Sequence, residues 1–480
     1  MSFVISTATA PPIVLPLAIV YGRKDVPMQP SMYSLPRQRI FPMFVVALLC
    51  SSLFLLSAPV LTSVRTQHTG AQARFAAGRH YAEWVGAAPP DNASCMAARH
   101  HPCYSPQEMQ NAYSLTPVLQ AGYTGKGQTI VIIDSFGSPT AAADLKKFDT
   151  DYGLPDPPSF RALAPLGSVP FDPNNADMVG WAEETSLDVQ WAHAMAPGAS
   201  IVLLTSPVSE TEGVQGMPQF LALEVYALEH NLGKIISQSW AATENTLFTA
   251  EGRKVLDSFN AFYLYAALRH VTVFASSGDS GVANPDVNGN IYPFPTVGFP
   301  ASSPWVTAVG GTSLYADANG NYQSETTWND THGATGGGVS QYFREPDYQE
   351  DNLPQVDRTL LKHHRGLPDI AYNADPATSV PVYLGFRAQP GYALFGGTSE
   401  GSPQWAGLIA DANQMAGHPL GFLNSKLYRL GSHKAAEVFH DITTGNNTQD
   451  NIPGYTATAG WDAATGWGSP IADKLFAALE

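Results

Sequence analysis

The sequence predicts an α/β fold, a mostly parallel sheet with helices on both faces, held in one large domain. Five short runs are β-rich and almost continuously apolar, which is the composition of strands buried on both sides. Helix-like stretches separate those runs, so strand and helix alternate along the chain. With 480 residues, 44% apolar and only 14% charged, a large buried core is available. These figures exclude a coiled coil, a charge-rich disordered chain and a small disulfide-stapled scaffold.

The N-terminus comes first. Residues 1–39 form an extension whose first part, Met1 to Gln29, carries nothing recognisable, and a chain begun at Met32 would have an ordinary export architecture. Arg37 and Arg39 precede an almost uncharged apolar stretch, 40–61, that ends in small residues near Ser57-Ala58-Pro59. That pattern is a signal peptide or a membrane anchor, and in either case the rest of the chain is translocated. Residues 62–108 are rich in Ala, His and Pro and read as a linker or a short propeptide remnant before the main domain, 109–480. Cys50 lies in the apolar stretch, whereas Cys95 and Cys103 can close a small loop in an oxidising compartment. No CxxC or Cys/His spacing supports zinc or an iron–sulfur cluster.

Within the main domain the strand candidates are 128–134, 199–204, 234–239, 271–276 and 305–309, with helices over 141–152 and 218–231. In such sheets the working residues gather where strands end and helices begin. Twenty-five Lys and Arg stand against 41 Asp and Glu, a net charge of −16 with no basic block, so no nucleic acid partner is expected. An acidic surface with few lysines also suits work in acid.

Three segments carry chemistry. In the first, Trp181 to Gly198, Glu184 and Asp188 are four apart on one helix face, flanked at three residues by Trp181 and Trp191. Two carboxyls on an apolar stripe repel each other and resist desolvation, so one is driven to keep a proton and share it. The competing reading is two exposed acids on an ordinary helix. In the second, Gly396-Gly397-Thr398-Ser399 runs into an apolar helical stretch, which puts Ser399 at a helix N-terminus as a nucleophile or simply as a cap. In the third, Ser276-Ser277-Gly278-Asp279 follows a buried strand, so Asp279 is either an oxyanion donor in its acid form or a turn former.

Taken together, these segments resemble the sedolisin family, the serine-carboxyl peptidases built on a subtilisin-like α/β fold, from about Tyr113 to the C-terminus. Four separated motifs agree: Glu184-x-x-x-Asp188 before Trp-Ala-His-x-x-Ala-Pro-Gly, Ser-Ser-Gly-Asp279-Ser-Gly, Phe-Pro-Ala-Ser with Gly-Gly-Thr, and Gly-Thr-Ser399-x-x-x-Pro. The resemblance implies that Ser399 is the nucleophile, Glu184 its general base, Asp188 the proton-sharing partner and Asp279 the oxyanion donor. Less directly, it implies that Asp134 extends the proton network with Trp240 near it. It also implies one structural calcium ion, held by the side chains of Asp441 and Asp462 and the carbonyls of Ile442, Thr458 and Gly460, where Thr458 stands at a position more often Gly. The stretch 234–240 resembles the edge strand along which a substrate is laid.

By the same resemblance the chain is expected to be a secreted or extracytoplasmic, acid-active endopeptidase acting on protein or peptide substrates, a monomer, and membrane-bound only through residues 40–61. A tripeptidyl-type exopeptidase of the same family and a catalytically inactive binding protein are the alternatives. A two-carboxylate glycosidase is disfavoured because its acids face each other across a cleft rather than sharing one helix. No His stands in a His-Gly-Thr context, and His193, five residues past Asp188, is expected in the core. About fifty residues separate the apolar stretch from the main domain, short for the folded propeptide of this family.

Overall fold

A computed structural model describes residues 82–480. The expected extension 1–39, the apolar stretch 40–61 with Cys50, and residues 62–81 lie outside the described residues.

The chain enters as β1 (Ala82–Gly86) and a helix, α1 (Asn92–Arg99). Asp91 caps α1 with a capping box closed by Ser94. The alternating elements come next: β2 (Thr129–Ser135), α2 (Ala141–Tyr152), β3 (Phe160–Leu163), α3 (Ala176–Met195), β4 (Ser200–Ser206) and α4 (Met217–Glu229). After them stand β5 (Ile235–Gln238), α5 (Ala250–Leu268), β6 (Thr272–Ser276), β7 (Thr307–Ala316) and β8 (Tyr322–Thr327). The C-terminal part adds β9 (Ile370–Asn373), β10 (Val380–Leu384), β11 (Gly391–Phe395), α6 (Gly401–Ala416) and α7 (Asn424–Val438).

Eight strands make the main sheet in the order β8-β7-β6-β5-β2-β4-β3, with β9 also beside β7. Only β8 runs antiparallel to its neighbour. The near-continuous apolar strands are explained by burial on both faces. On β2, Ile130 and Ile132 join a core with Trp191, Trp405 and Leu408 of α3 and α6. Val131 and Ile133 join another with Phe220, Leu223 and Phe259 of α4 and α5. Side chains alternate in direction along a strand, so one run of hydrophobes feeds both layers. The α/β class with a mostly parallel sheet is therefore what forms.

Two expectations are corrected. Residues 234–240 are not an edge: β5 lies in the interior of the sheet, paired with β2 on one side and β6 on the other. With its backbone groups committed on both sides, β5 has no ladder to offer a substrate. The described part of the expected linker, residues 82–108, is folded. β1 pairs antiparallel with β11, Ala82 opposite Phe395, in a three-stranded sheet with β10. Cys95 and Cys103, with Cα atoms 5.9 Å apart, are joined by a disulfide that packs with Leu394 of β11. Among the described residues no helix is long and apolar enough to cross a membrane.

Candidate active site

The candidate catalytic side chains stand at or after the carboxyl ends of strands, on α3, or in the turn that leads into α6. Asp134 is the penultimate residue of β2, Ser239 and Trp240 come just after β5, and Asp279 just after β6. Ser399 lies in a single 3-10 turn, Thr398–Glu400, that leads from β11 into α6. α6 lies directly on α3, and the contact depends on Gly407. A Cβ there would sit 2.7 Å from Met195 Cβ and 2.9 Å from the Ala192 carbonyl. The close approach presses the Ser399 turn against the helix that carries Glu184 and Asp188.

α3 is buried on every side from Trp181 to Met195. Glu184 and Asp188 are both 0% exposed, so the reading as two solvated acids falls. Trp191 packs its ring against Phe148 of α2, and Trp181 against Phe220 of α4. The two indoles thus anchor α3 in different layers rather than lining one stripe. The neighbouring Glu183 is tied to Arg387. His193 is buried, bonds the Pro155 carbonyl at 2.8 Å and is held down to about 4 by desolvation, a core histidine as expected.

Three carboxyls converge here. Asp134 is fully buried and accepts a 2.9 Å hydrogen bond from the Thr185 hydroxyl. Burial first, and then the Glu184 charge, hold its carboxyl well above the usual range. Asp188 is raised in the same way by burial, then by Asp134 and Glu184, against one opposing bond from Ser239. Asp134 and Asp188 so placed keep protons that isolated carboxyls would lose. Trp240 is buried against Phe220 and Phe259, and among the described residues its indole N–H meets no acceptor. It packs near the site without joining the proton network.

Sequence reasoning passed over two hydroxyls. Ser239 donates to Asp188 Oδ1 at 2.8 Å and lies 3.4 Å from the Ser399 carbonyl oxygen. Thr398 donates to Asp279 Oδ1 from both its backbone N–H and its hydroxyl, each at 2.7 Å. The signal for both was present, since each is a small hydroxyl residue beside a named motif residue at a strand end. Lower down, Ser237 on β5 and Ser402 on α6 share a 2.9 Å hydroxyl contact that ties the sheet to the start of the helix.

At the far C-terminus, Asp441 accepts from the Gly460 amide at 3.0 Å, while Asp462 accepts from the amides of Thr458, Ala464 and Thr465. Burial raises both carboxyls, Asp462 to about 6. Among the described residues no backbone amide donates a hydrogen bond to the carbonyl oxygens of Ile442, Thr458 or Gly460. Two carboxylates and three such carbonyls fit a hard, oxygen-seeking cation. Among the described residues no group of three or more His, Cys, Asp and Glu could hold a metal, and a two-carboxylate set needs none.

Comparison with known proteins sharpens this picture. No family model matches the sequence. Kumamolisin from Bacillus sp. (strain MN-32) is 37% identical over 382 residues, 78% of this chain and 63% of that protein. The solved structure of Pseudomonas sedolisin, a serine-carboxyl proteinase complexed with pseudo-iodotyrostatin, superposes with a TM-score of 0.65 at 31% identity. That match covers 78% of this chain and 98% of the solved one. This chain belongs to the sedolisin family. Full-length sedolisin from Pseudomonas sp. (strain 101) is 32% identical over 400 residues, 80% of this chain. The chain spans 63% and 62% of the lengths of these two curated sedolisin-family relatives. Tripeptidyl-peptidase 1 from Homo sapiens is more distant in coverage, 32% identical over 62% of this chain and 51% of that protein.

Proposed function

We propose that the chain is an exported, acid-active peptidase that cleaves protein substrates internally through an acyl-enzyme on Ser399. The observation that carries the reading is the burial of Asp134, Glu184 and Asp188 together beside the Ser399 turn. Desolvating three acids is unfavourable, and grouping them lets one carboxylate accept the Ser399 proton while its neighbours hold theirs. Family membership supports the same reading.

In the proposed reaction the Ser399 Oγ attacks the scissile carbonyl carbon while Glu184 takes the hydroxyl proton. The carbonyl electron pair moves onto oxygen, and the protonated carboxyl of Asp279 donates a hydrogen bond to that oxyanion. On collapse the C–N bond breaks, and the leaving amine receives the proton from Glu184. Water then enters, gives its proton to Glu184 and displaces Ser399, which recovers a proton from the same group. Asp188 and Asp134 share protons with Glu184 and spread the charge. Glu184 must be ionised while Asp279 stays protonated, so only an acid window serves both.

One calcium ion would be held by Asp441 and Asp462 through their carboxylates and by Ile442, Thr458 and Gly460 through carbonyls. It would cross-link the C-terminal loops without entering the reaction. The apolar stretch 40–61 after Arg37 and Arg39 supports export.

The test is hydrolysis of a denatured protein from about pH 2 to about pH 8, with the parent chain beside Ser399→Ala and calcium present. Cleavage in acid that vanishes in the variant is expected. Mass spectrometry of a peptide blocked at its N-terminus separates the two modes. Internal cuts support the endopeptidase, and release of tripeptides only from unblocked peptides favours the tripeptidyl-type alternative.

A further inference from the structure

The proposed reaction requires one particular oxygen of Asp279 to carry a proton, and the surroundings of that carboxyl select which. Asp279 is 4% exposed, and Thr398 meets its Oδ1 twice, through the backbone N–H and the side-chain hydroxyl, both at 2.7 Å. A backbone N–H cannot accept a hydrogen bond, so Oδ1 must be the accepting, unprotonated oxygen. The Thr398 hydroxyl is itself oriented, because its oxygen accepts the Gly278 N–H at 3.0 Å and its own proton is left for Asp279. Two donors on one oxygen leave no room for a third proton there.

The other oxygen faces Gly397. A Cβ built on that residue would sit 2.7 Å from Asp279 Oδ2, and the Gly397 φ of +121° is one that side-chain-bearing residues rarely adopt. Gly397 therefore lets Oδ2 lie against the backbone only two residues from Ser399.

Building on the peptidase reading, we propose that Thr398 is a positioning residue that locks the Asp279 carboxyl with its proton on Oδ2, the oxygen that donates to the oxyanion formed on Ser399. Thr398 touches no reacting atom. It acts by denying Oδ1 the proton and by fixing the rotation of the carboxyl plane, so the donor is pre-aimed before substrate arrives. No bond is made or broken at Thr398 in any step.

The test compares the parent chain with Thr398→Val, which keeps the shape and removes the hydroxyl, and with Thr398→Ser, which restores it. Expected for Thr398→Val is a fall in kcat of about tenfold or more with KM unchanged. The alkaline limb of its pH profile should move upward, since a donor favouring the ionised carboxyl is lost. Thr398→Ser should recover most of the rate and the original limb. A Thr398→Val protein with parental kcat and limb overturns the proposal, as does a Thr398→Ser protein as impaired as the valine variant.

A second readout does not need turnover. In 13C-aspartate-labelled protein at acid pH, the infrared C=O band lost in Asp279→Asn should lie at low frequency, as a doubly hydrogen-bonded carbonyl does, and rise in Thr398→Val. A band that does not move between the parent and the valine variant overturns the assignment. Should the parent cleave nothing, the peptidase reading falls while this band still decides where the proton sits.

Discussion

The Ser239 hydroxyl donates a 2.8 Å hydrogen bond to Asp188 Oδ1, inside a region where neither residue meets solvent. The same hydroxyl lies 3.4 Å from the Ser399 carbonyl oxygen, so it joins the carboxyls on α3 to the turn carrying the proposed nucleophile. It is also the one hydrogen bond that opposes the upward pull of burial and neighbouring charge on Asp188. Replacing Ser239 with Ala should push Asp188 further up and move the acidic limb of kcat/KM to higher pH. We expect kcat to fall about tenfold, the loss of one buried hydrogen bond that orients Asp188. A pH-rate profile of Ser239→Ala checks this, and an unmoved acidic limb would contradict it.

Asp279→Asn separates the donor's geometry from its ionisation. The amide keeps an acceptor oxygen for the two Thr398 bonds and presents an N–H where Oδ2 stood, yet it cannot lose a proton near neutrality. The expected variant retains measurable cleavage, about 10- to 100-fold below the parent, and loses the alkaline limb that the proposed reaction assigns to Asp279. Asp279→Ala, which removes the donor altogether, should fall by about 10² to 10³ in kcat. Equal profiles for the Asn variant and the parent would mean that some other group sets the alkaline limb.

Much of this arrangement was legible in the sequence because the signals are local. The apolar runs named the interior strands, the predicted helix over 141–152 is the observed α2, and the spacing of Glu184 and Asp188 put both on one helix. What was not legible depends on partners distant in the chain. β1 has a short, mixed sequence before a Pro-Pro pair, and its structure comes from pairing with β11, about three hundred residues later. That β5 is interior depends on sheet order, which no single strand reveals. Ser239 and Thr398 became informative only once their acceptors were known, since a Ser or Thr at a strand end more often closes a turn.

Removal of divalent cation tests the C-terminal loop. Asp441 and Asp462 come from opposite ends of one excursion, and Asp441 already reaches across it to the Gly460 amide. A bound cation stabilises the folded state by mass action, by about 2.7 kcal/mol when its concentration is a hundredfold above Kd. Chelation should therefore lower Tm by several degrees, calcium should restore it, and magnesium should do so poorly because a loop of carbonyls does not impose octahedral geometry. Asp441→Asn and Asp462→Asn should melt at the chelated value whether or not calcium is present. A parent chain whose Tm ignores the chelator would remove calcium from the proposal.

Stability should also depend on pH, with a sign set by buried acids. Asp134, Asp188, Glu210, Glu224, Glu400 and Asp411 are all held well above the usual carboxyl range, burial being the first cause in each. An unfolded carboxyl ionises near pH ~4, whereas these keep their protons when folded. The stability they allow is fully present below that pH and is lost as pH rises towards their folded values. His193 and His440 oppose them. Both are held down to about 4 by burial, so they favour the folded state above the ordinary histidine value and withdraw that support as pH falls. Six carboxyls outweigh two imidazoles, so Tm should fall between about pH 4 and about pH 8. Asp411 isolates the effect, because it is 0% exposed, neither of its carboxyl oxygens has a hydrogen-bond partner among the described residues, and it lies on α6 well beyond Ser399. Asp411→Asn, which cannot ionise, should raise Tm at pH ~8 by about 2 to 5 °C and leave it nearly unchanged at pH ~4. Calorimetry at the two pH values decides the matter: a variant that melts lower than the parent at pH ~8 would mean that the ionised carboxylate is stabilised in the fold, the reverse of what its burial implies.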